Sequence, residues 1–286
     1  MRVNKLIDLW TNDQPAFWIR NEELTFEHGK KLAQTWADFI NVELEHGPFD
    51  MTGLQSFMKG LVAGGPTKSK HKTPAIIVTL PISGRDRKHI EYNHWMFEQV
   101  LDRGVHGILL CNAEEADAVN AFVEVCRYSF QKIGADKGIK QGKRGNGGQL
   151  EAAQIWGIEP KDYFHKADIW PINPNGELVL GVKIETKRGL QNAEQICKVP
   201  GLTFAQYAPG DMAMAFGYPN EPTPQPTEIT EARKKVNQAI KQSKIIWMDG
   251  VTEENAIEKV SQGLRICSTP QLKGAHIVPL VRNDIP

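Results

Sequence analysis

The segment LGVKIETKRGL, residues Leu180–Leu190, starts as an apolar run and then changes abruptly to charged residues. Because side chains alternate along a β-strand, residues two positions apart share a face. Lys183 and Glu185 are therefore predicted to lie on one face at the end of a strand. Polar groups at the carboxyl end of a buried strand are typical of a barrel built from parallel strands.

Similar short apolar runs recur along the chain, each followed by a segment with helical periodicity. This alternation favours a parallel sheet with helical crossovers, and eight runs predict a (β/α)8 TIM barrel spanning residues 1–286 as a single domain. An open, doubly wound sheet is the alternative, disfavoured because no Gly-x-Gly-x-x-Gly motif follows the first run. The predicted strands are Ala16–Arg20, Phe39–Leu44, Ala75–Thr79, Gly107–Leu110, Leu178–Ile184, Phe204–Tyr207, Ile245–Met248 and Arg265–Cys267.

Two segments interrupt this pattern. Residues 127–177 form a long, Gly-rich excursion, and a loop of this length is expected to be functional or to contact another subunit. Residues 218–228 are rich in proline, which predicts an exposed, extended connection before a helix at Thr230–Lys241.

The overall composition argues against several classes of protein. Lys+Arg and Asp+Glu both number 34, so the chain lacks the positive charge of a nucleic-acid-binding protein. The four cysteines, Cys111, Cys126, Cys197 and Cys267, are far apart, which disfavours structural zinc and disulfides. No apolar run resembles a signal peptide or a membrane helix. We therefore expect a soluble, cytoplasmic protein with no membrane partner.

Two carboxylates are candidates for a metal site. Glu185 ends the fifth predicted strand and Asp211 follows the sixth, so both are expected at the same rim of the barrel. Carboxylates from neighbouring strands can hold a hard divalent cation. Each has another explanation: Asp211 can cap the helix beginning at Met212, and Glu185 can pair with Lys187 or Arg188.

Two further residues are candidates for proton transfer. His46 follows the second strand in NVELEHGPFD, where an imidazole can act as an acid or a base near neutral pH. A histidine in a loop is also often a bystander. Asp102 lies in the last turn of a helix, where the helix dipole disfavours an anion. A cationic partner such as a histidine would explain this position.

Several longer motifs occur in a fixed order and together resemble the HpcH/HpaI aldolase family, which lies beside the citrate-lyase-type enzymes. The resemblance covers nearly the whole chain and is specific for the family but not for the substrate. The motifs are MRVNKL, VELEHGPFD, LDRGVHGILL, RGNGG, KIETKRGLQNAEQICKVPGL and APGDMAMAFGY.

The resemblance implies a metal-dependent class II aldolase that cleaves or forms 4-hydroxy-2-oxo acids through a pyruvate-type enolate, with an aldehyde as the second product or substrate. Glu185 and Asp211 match the carboxylates that bind Mg²⁺, Mn²⁺ or Co²⁺. His46 and Asp102 match a catalytic pair in which the acid raises the basicity of the histidine. Gly210 and Asp211 match positions that contact the 2-oxo acid. The family also implies a homo-oligomer, a trimer or hexamer, in which a C-terminal helix is exchanged between subunits.

The chain differs from the family pattern at two positions where a positively charged residue is lost or gained. The third strand lacks the arginine that usually faces the keto oxygen, and Lys183 stands where glutamine is usual. We hypothesise that Lys183 replaces the missing charge and binds the substrate. Alternatively, Lys183 only forms a salt bridge near Glu185, and Arg85, Arg87 or Arg144 reaches in from a loop. A Schiff base on Lys183 is a further, disfavoured alternative, because it would leave the metal carboxylates without a task.

Two other functions fit the same barrel. One is a lyase acting on a CoA ester, as in the citrate-lyase type, although the sequence shows no obvious basic path for the CoA phosphates. The other is a non-catalytic barrel that binds a 2-oxo acid as a sensor or assembly subunit, and the missing arginine favours it.

Overall fold

Eight parallel strands form a closed barrel in which each strand pairs with the next and the last pairs with the first. The computed structural model describes residues 1–269 and 274–282. Each predicted strand is present within a few residues of its expected bounds, which confirms the predicted barrel. The strands are β1 (Ala16–Asn21), β2 (Phe39–Glu43), β3 (Ala75–Ser83), β4 (Gly107–Cys111), β5 (Val179–Ile184), β6 (Phe204–Tyr207), β7 (Ile246–Gly250) and β8 (Leu264–Ser268).

Helices connect the strands and cover the outside of the barrel. A short 3₁₀ turn, Ala135–Lys137, lies between two of them. The helices are α1 (Lys5–Thr11), α2 (Phe26–Leu32), α3 (Met51–Gly64), α4 (Arg87–Tyr92), α5 (His94–Leu101), α6 (Ala116–Val125), α7 (Gln149–Trp156), α8 (Pro160–Lys166), α9 (Lys187–Gln191), α10 (Ala193–Cys197), α11 (Pro209–Ala215), α12 (Thr227–Ser243), α13 (Ala256–Ser261) and α14 (Gly274–Val281).

Because side chains alternate between the two faces of each strand, they form two separate apolar cores, one outside and one inside the barrel. Outward-facing residues such as Val182 and Ile184 pack in the large core beneath the helices. Inward-facing residues such as Val179 and Phe204 form a second core inside the barrel, together with Leu6 of α1. Because most of these inward residues lie at or near the start of their strands, α1 closes the amino-terminal end. The carboxyl-terminal end therefore remains available for a site.

The excursion at residues 127–177 lies between α6 and β5 and contains α7 and α8. It is anchored by a buried ion pair in which Arg127 Nε lies 2.6 Å from Asp168 Oδ1. Since α6 ends and β5 begins at the amino-terminal end of the barrel, the excursion returns to that end. The residues at 218–228 are mostly exposed, as predicted, and lead into α12.

The helix α14 packs against the barrel of its own chain. The Arg282 guanidinium that follows it forms a buried ion pair with Asp38, with Nη1 3.0 Å from Oδ2. The exchange of this helix between subunits stays a prediction. No helix in residues 1–269 and 274–282 combines the length and apolar character needed to cross a bilayer.

Candidate active site

Polar side chains gather at the carboxyl-terminal end of the barrel, which we call the mouth. The apolar residues Trp18, Phe39, Leu109 and Val179 face the barrel interior. Residues at even spacings after them therefore face the same way. This alternation brings to the mouth Arg20, Glu43, Glu45, Thr79, Cys111, Lys183, Glu185 and Gln206.

Glu185 is a buried carboxylate with one bonded oxygen and one oxygen without a partner. Its Oε1 accepts a hydrogen bond of 2.6 Å from the backbone N–H of Asn112, which adopts a left-handed conformation after β4. Its Oε2 is buried and has no hydrogen-bond partner among the described residues. Burial raises the pKa of Glu185 to about 8, against the opposing effects of Lys183 and Asn112, while the charges of Asp211 and Glu45 raise it further.

Lys183 faces the same mouth, and its partner is Glu45. The Lys183 Nζ lies 2.5 Å from Glu45 Oε2, and both side chains are mostly buried. Burial disfavours the Lys183 ammonium, but the neighbouring side chains of Cys111, Glu185 and Glu45 outweigh it and raise the pKa of Lys183. Likewise, burial would raise the pKa of Glu45, but Lys183 lowers it below its ordinary value. The pair is therefore charged at neutral pH.

The predicted surface pairing of Glu185 is wrong. Arg188 contacts Glu114 and Glu115 instead. The ammonium of Lys187 lies 4.9 Å from the centroid of the Phe216 ring. With these cations engaged elsewhere, Glu185 is directed into the mouth rather than to the surface.

Gly210 and Asp211 lie in the first turn of α11. The capping alternative for Asp211 is wrong, because Ala208 occupies the N-cap position and no side chain caps this helix. Both residues are exposed, and a Cβ added at Gly210 would meet no atom within 4 Å. Asp211 is close enough for its charge to raise the pKa of Glu185. Thus the structure brings the two predicted metal carboxylates to the same rim.

The tightest group of potential ligand atoms differs from the predicted pair. Three residues, Glu45, Cys111 and Glu185, each offer one potential ligand atom, and these three atoms lie within 4.8 Å of one another. Asp211 is not a member of this group among the described residues. The unpartnered Oε2 of Glu185 and this set of donors fit a divalent cation, with Glu185 as its buried ligand.

His46 lies at the rim of the mouth beside the Lys183–Glu45 pair. Its side chain is 66% exposed, and its Nε2 lies 3.7 Å from Glu45 Oε2. An exposed imidazole at this position can exchange protons with both solvent and a bound substrate.

Asp102 does not lie near His46 in one chain. It follows α5 and precedes β4, which places it at the amino-terminal end of the barrel, opposite the mouth. Its cationic partner is Arg144, whose Nη2 donates a hydrogen bond of 3.1 Å to Asp102 Oδ1. Burial raises the pKa of Asp102 although Arg144 opposes the shift. The expected contact between Asp102 and His46 is therefore not made within one chain.

The loop arginines considered as substitutes for the missing cation are bound elsewhere. Arg85 pairs with its neighbour Asp86 at 3.2 Å. Arg87 contacts Glu124 at 2.9 Å on the outside of the barrel. Arg144 is buried beside Asp102 at the opposite end. Arg87 and Arg144 do not reach the mouth, and Arg85, which follows β3 at the same end of the barrel, is exposed and paired with Asp86. Lys183 is therefore the predicted cation that lies on the inward face of a strand.

Six of the eight mouth residues were not singled out in the sequence, and Arg20, Glu45 and Cys111 are the most informative of them. Arg20 is the last inward-facing residue of β1. Its Nη2 lies 3.9 Å from Glu43 Oε2, and its Nε lies 2.8 Å from Glu22 Oε1. Glu45 and Cys111 belong to the cluster around Glu185. Arg20 and Cys111 continue the inward alternation of apolar residues in β1 and β4, and Glu45 continues that of β2 two residues beyond its end. This signal was present in the sequence.

A family model described as HpcH/HpaI aldolase/citrate lyase matches residues 72–269. The chain belongs to this family. The matched region includes the strands that carry Cys111, Lys183 and Glu185, and the helix that carries Asp211.

The curated relatives of this chain are aldolases named for different substrates. A hydroxypyruvate/pyruvate aldolase from Paraburkholderia phytofirmans is 27% identical over 187 residues, which are 65% of this chain and 60% of the relative. A 2-keto-3-deoxy-L-rhamnonate aldolase from Salmonella schwarzengrund is 28% identical over 221 residues, 77% of this chain and 68% of the relative. The match thus spans less than two thirds of the length of the first of these relatives.

Solved structures share the barrel over its full extent. An HpcH/HpaI aldolase/citrate lyase family protein from Burkholderia cenocepacia J2315 superposes with a TM-score of 0.70 at 20% identity. The superposition covers 97% of this chain and 96% of that protein. This likeness establishes the shared fold.

Proposed function

We propose that this protein is a metal-dependent class II aldolase that cleaves or forms 4-hydroxy-2-oxo acids through a pyruvate-type enolate. The observation that carries the proposal is the buried Glu185 carboxylate, whose Oε2 has no partner among the described residues. An unpaired buried oxygen is costly, and a cation that binds it removes the cost. The relatives named as pyruvate and 2-keto-3-deoxy-L-rhamnonate aldolases support the reaction class.

Glu185 and Asp211 are the proposed metal ligands. A dication bound there supplies a Lewis acid that withdraws electron density from the keto acid. The neighbouring N–H groups of Gly210 and Asp211, in the first turn of α11, are proposed to orient the substrate carboxylate.

Lys183 and His46 are proposed to handle charge and protons. In cleavage, the proton leaves the C4 hydroxyl, the C3–C4 bond breaks, and its electron pair moves into the enolate. His46, beside Glu45 at 3.7 Å, is positioned to accept that proton directly or through water. The Lys183 ammonium, held at 2.5 Å by Glu45, stabilises the developing negative charge.

A Schiff base on Lys183 is disfavoured on chemical grounds. Attack on a carbonyl requires a neutral amine, whereas Glu185 and Glu45 raise the pKa of Lys183 despite its burial. Reduction with borohydride in the presence of pyruvate is expected to leave the mass of the protein unchanged. A stable adduct on Lys183 would reverse this assignment.

The test is pyruvate release from a 4-hydroxy-2-oxo acid by protein treated with a chelator and then supplied with Mg²⁺, Mn²⁺ or Co²⁺. We expect activity only after metal addition, and a loss of at least about 100-fold in Glu185→Gln. Glu194→Gln, on the exposed surface of α10, is the matched control. Turnover that survives both the chelator and Glu185→Gln would overturn the proposal. Metal-dependent binding of pyruvate without turnover would favour the sensor alternative.

We further propose that the active form is a homo-oligomer in which Asp102 of one copy approaches His46 of another. The two side chains lie at opposite ends of one barrel, so their expected pairing requires two chains. His46→Ala and Asp102→Ala are each expected to be inactive, whereas co-expression of the two with different tags should recover up to about a quarter of the activity. Light scattering would give the oligomeric state. Mixed oligomers without any recovery would contradict this role for Asp102.

A further inference from the structure

Cys111 is a buried thiol among the charged groups of the mouth. It is the last residue of β4 and is 1% exposed. Its inward orientation follows from that of Leu109, which belongs to the interior core. The Cys111 sulfur lies within 4.8 Å of a carboxylate oxygen of Glu45. A thiol beside two carboxylates is not required by the chemistry described above, so its position calls for a separate explanation.

The spacing of the cluster fits one metal ion. Ligand atoms of Glu45, Cys111 and Glu185 all lie within 4.8 Å of one another. An ion about 2.3 Å from sulfur and about 2.2 Å from oxygen holds tetrahedral donors about 3.7 Å apart. The donor atoms therefore need to approach one another by about 1 Å at most to share an ion.

A second, independent observation marks this position as a ligand site. Glu185 is 1% exposed, and its Oε2 is one of the buried polar atoms without a partner in the described part of the chain. The other oxygen is fixed by Asn112 at 2.6 Å, so the unpartnered atom cannot reorient freely. Glu45 contacts Lys183 through Oε2, and a carboxylate has a second oxygen to offer.

We propose that the Cys111 sulfur is a third ligand, beside the two carboxylates, for the dication of the proposed function, and that it shifts the metal preference toward Co²⁺ or Zn²⁺ and away from Mg²⁺. Thiolates bind borderline and soft metals, whereas Mg²⁺ prefers oxygen. Ligation replaces the S–H proton, which passes to water either directly or through Glu45. This inference rests on the proposed function but goes beyond it in assigning the sulfur donor and the class of metal.

The first test is spectroscopic and requires no variant. Metal-free protein is titrated with Co²⁺, and a thiolate-to-cobalt charge-transfer band is expected in the near ultraviolet at one equivalent. The same titration of Cys111→Ser should lack the band. Cys267→Ser is the matched control, because Cys267 is a buried thiol near the end of β8 that packs in the outer core. The control variant should retain the band.

The second test is affinity. Cys111→Ser is expected to weaken Co²⁺ and Zn²⁺ binding by at least about tenfold and to change Mg²⁺ binding little, as measured by calorimetry. Co²⁺ binding to the wild-type protein without a charge-transfer band, together with unchanged affinity in Cys111→Ser, would overturn the inference and leave the proposed aldolase intact. A wild-type protein that binds none of these metals would instead overturn the metal site of the proposed function.

Discussion

Lys183 shows how a single residue can change the charge of an active site. It extends into the mouth on the inward face of β5, and its ammonium is held by Glu45 at 2.5 Å. Lys183→Gln removes this charge and is expected to lower kcat/KM for aldol cleavage by about 100-fold, since removal of a comparable electrostatic group costs 10²–10³ in rate. Lys198→Gln, on an exposed side chain, is the control. An unchanged kcat/KM would rule out the assignment.

Arg20 is the second cation of the mouth. β1 and β5 lie on opposite sides of the eight-strand barrel, so Arg20 and Lys183 face each other across it. Arg20→Gln is expected to raise KM for the 2-oxo acid by about tenfold while changing kcat less, because a long, half-exposed side chain contributes mainly to binding. Steady-state kinetics provide the measurement, and Arg85→Gln is the control. Equal effects of the two variants would contradict a specific role for Arg20.

At the scale of an element, the first turn of α11 presents backbone to the mouth. A Cβ at Gly210 meets no protein atom within 4 Å, so Gly210→Ala should fold with an unchanged Tm. The added methyl group would nevertheless occupy the space through which a substrate carboxylate approaches the backbone. We expect KM for pyruvate in the aldol direction to rise by about tenfold or more. If KM and Tm are both unchanged, the substrate does not approach this turn.

At the scale of the whole molecule, acid stability is expected to depend on His106, a buried residue preceding β4. Its Nδ1 accepts a hydrogen bond of 3.1 Å from the Ile76 N–H, and its ring stacks on Trp156 at 5.7 Å. Burial lowers the pKa of His106 from 6.5 to about 3. Between these values the unfolded chain binds a proton that the folded protein does not, so stability falls as the pH falls.

The corresponding test is urea unfolding across this pH range. Because the unfolded chain binds a proton at His106, the free energy of unfolding is expected to fall by about 1.4 kcal/mol for each pH unit below about 6. His106→Asn retains an acceptor for the Ile76 N–H but cannot bind the proton, so its stability should fall less steeply with acid. Parallel pH profiles for wild type and His106→Asn would show that His106 is not the responsible group. His165→Asn, outside the barrel core, provides the comparison.

Sequence patterns alone predicted the architecture and part of the candidate site. The eight apolar runs predicted every strand, because a strand buried in a parallel barrel is an almost continuous apolar segment bounded by helices. The same alternation predicted that Lys183 and Glu185 share one face, and the family motifs pointed to Asp211, Gly210 and His46 as candidates. These properties are local, since each follows from residues close together in the chain.

Only the tertiary structure decided which side chains meet. Glu45, Cys111 and Glu185 come from three different strand ends, and their proximity depends on the stagger of strands around the closed barrel. Asp102 and His46 were expected to pair, yet the parallel direction of all strands puts the residue before β4 and the residue after β2 at opposite ends. Contacts of this kind depend on how distant segments close into one cylinder, and no local pattern encodes that closure.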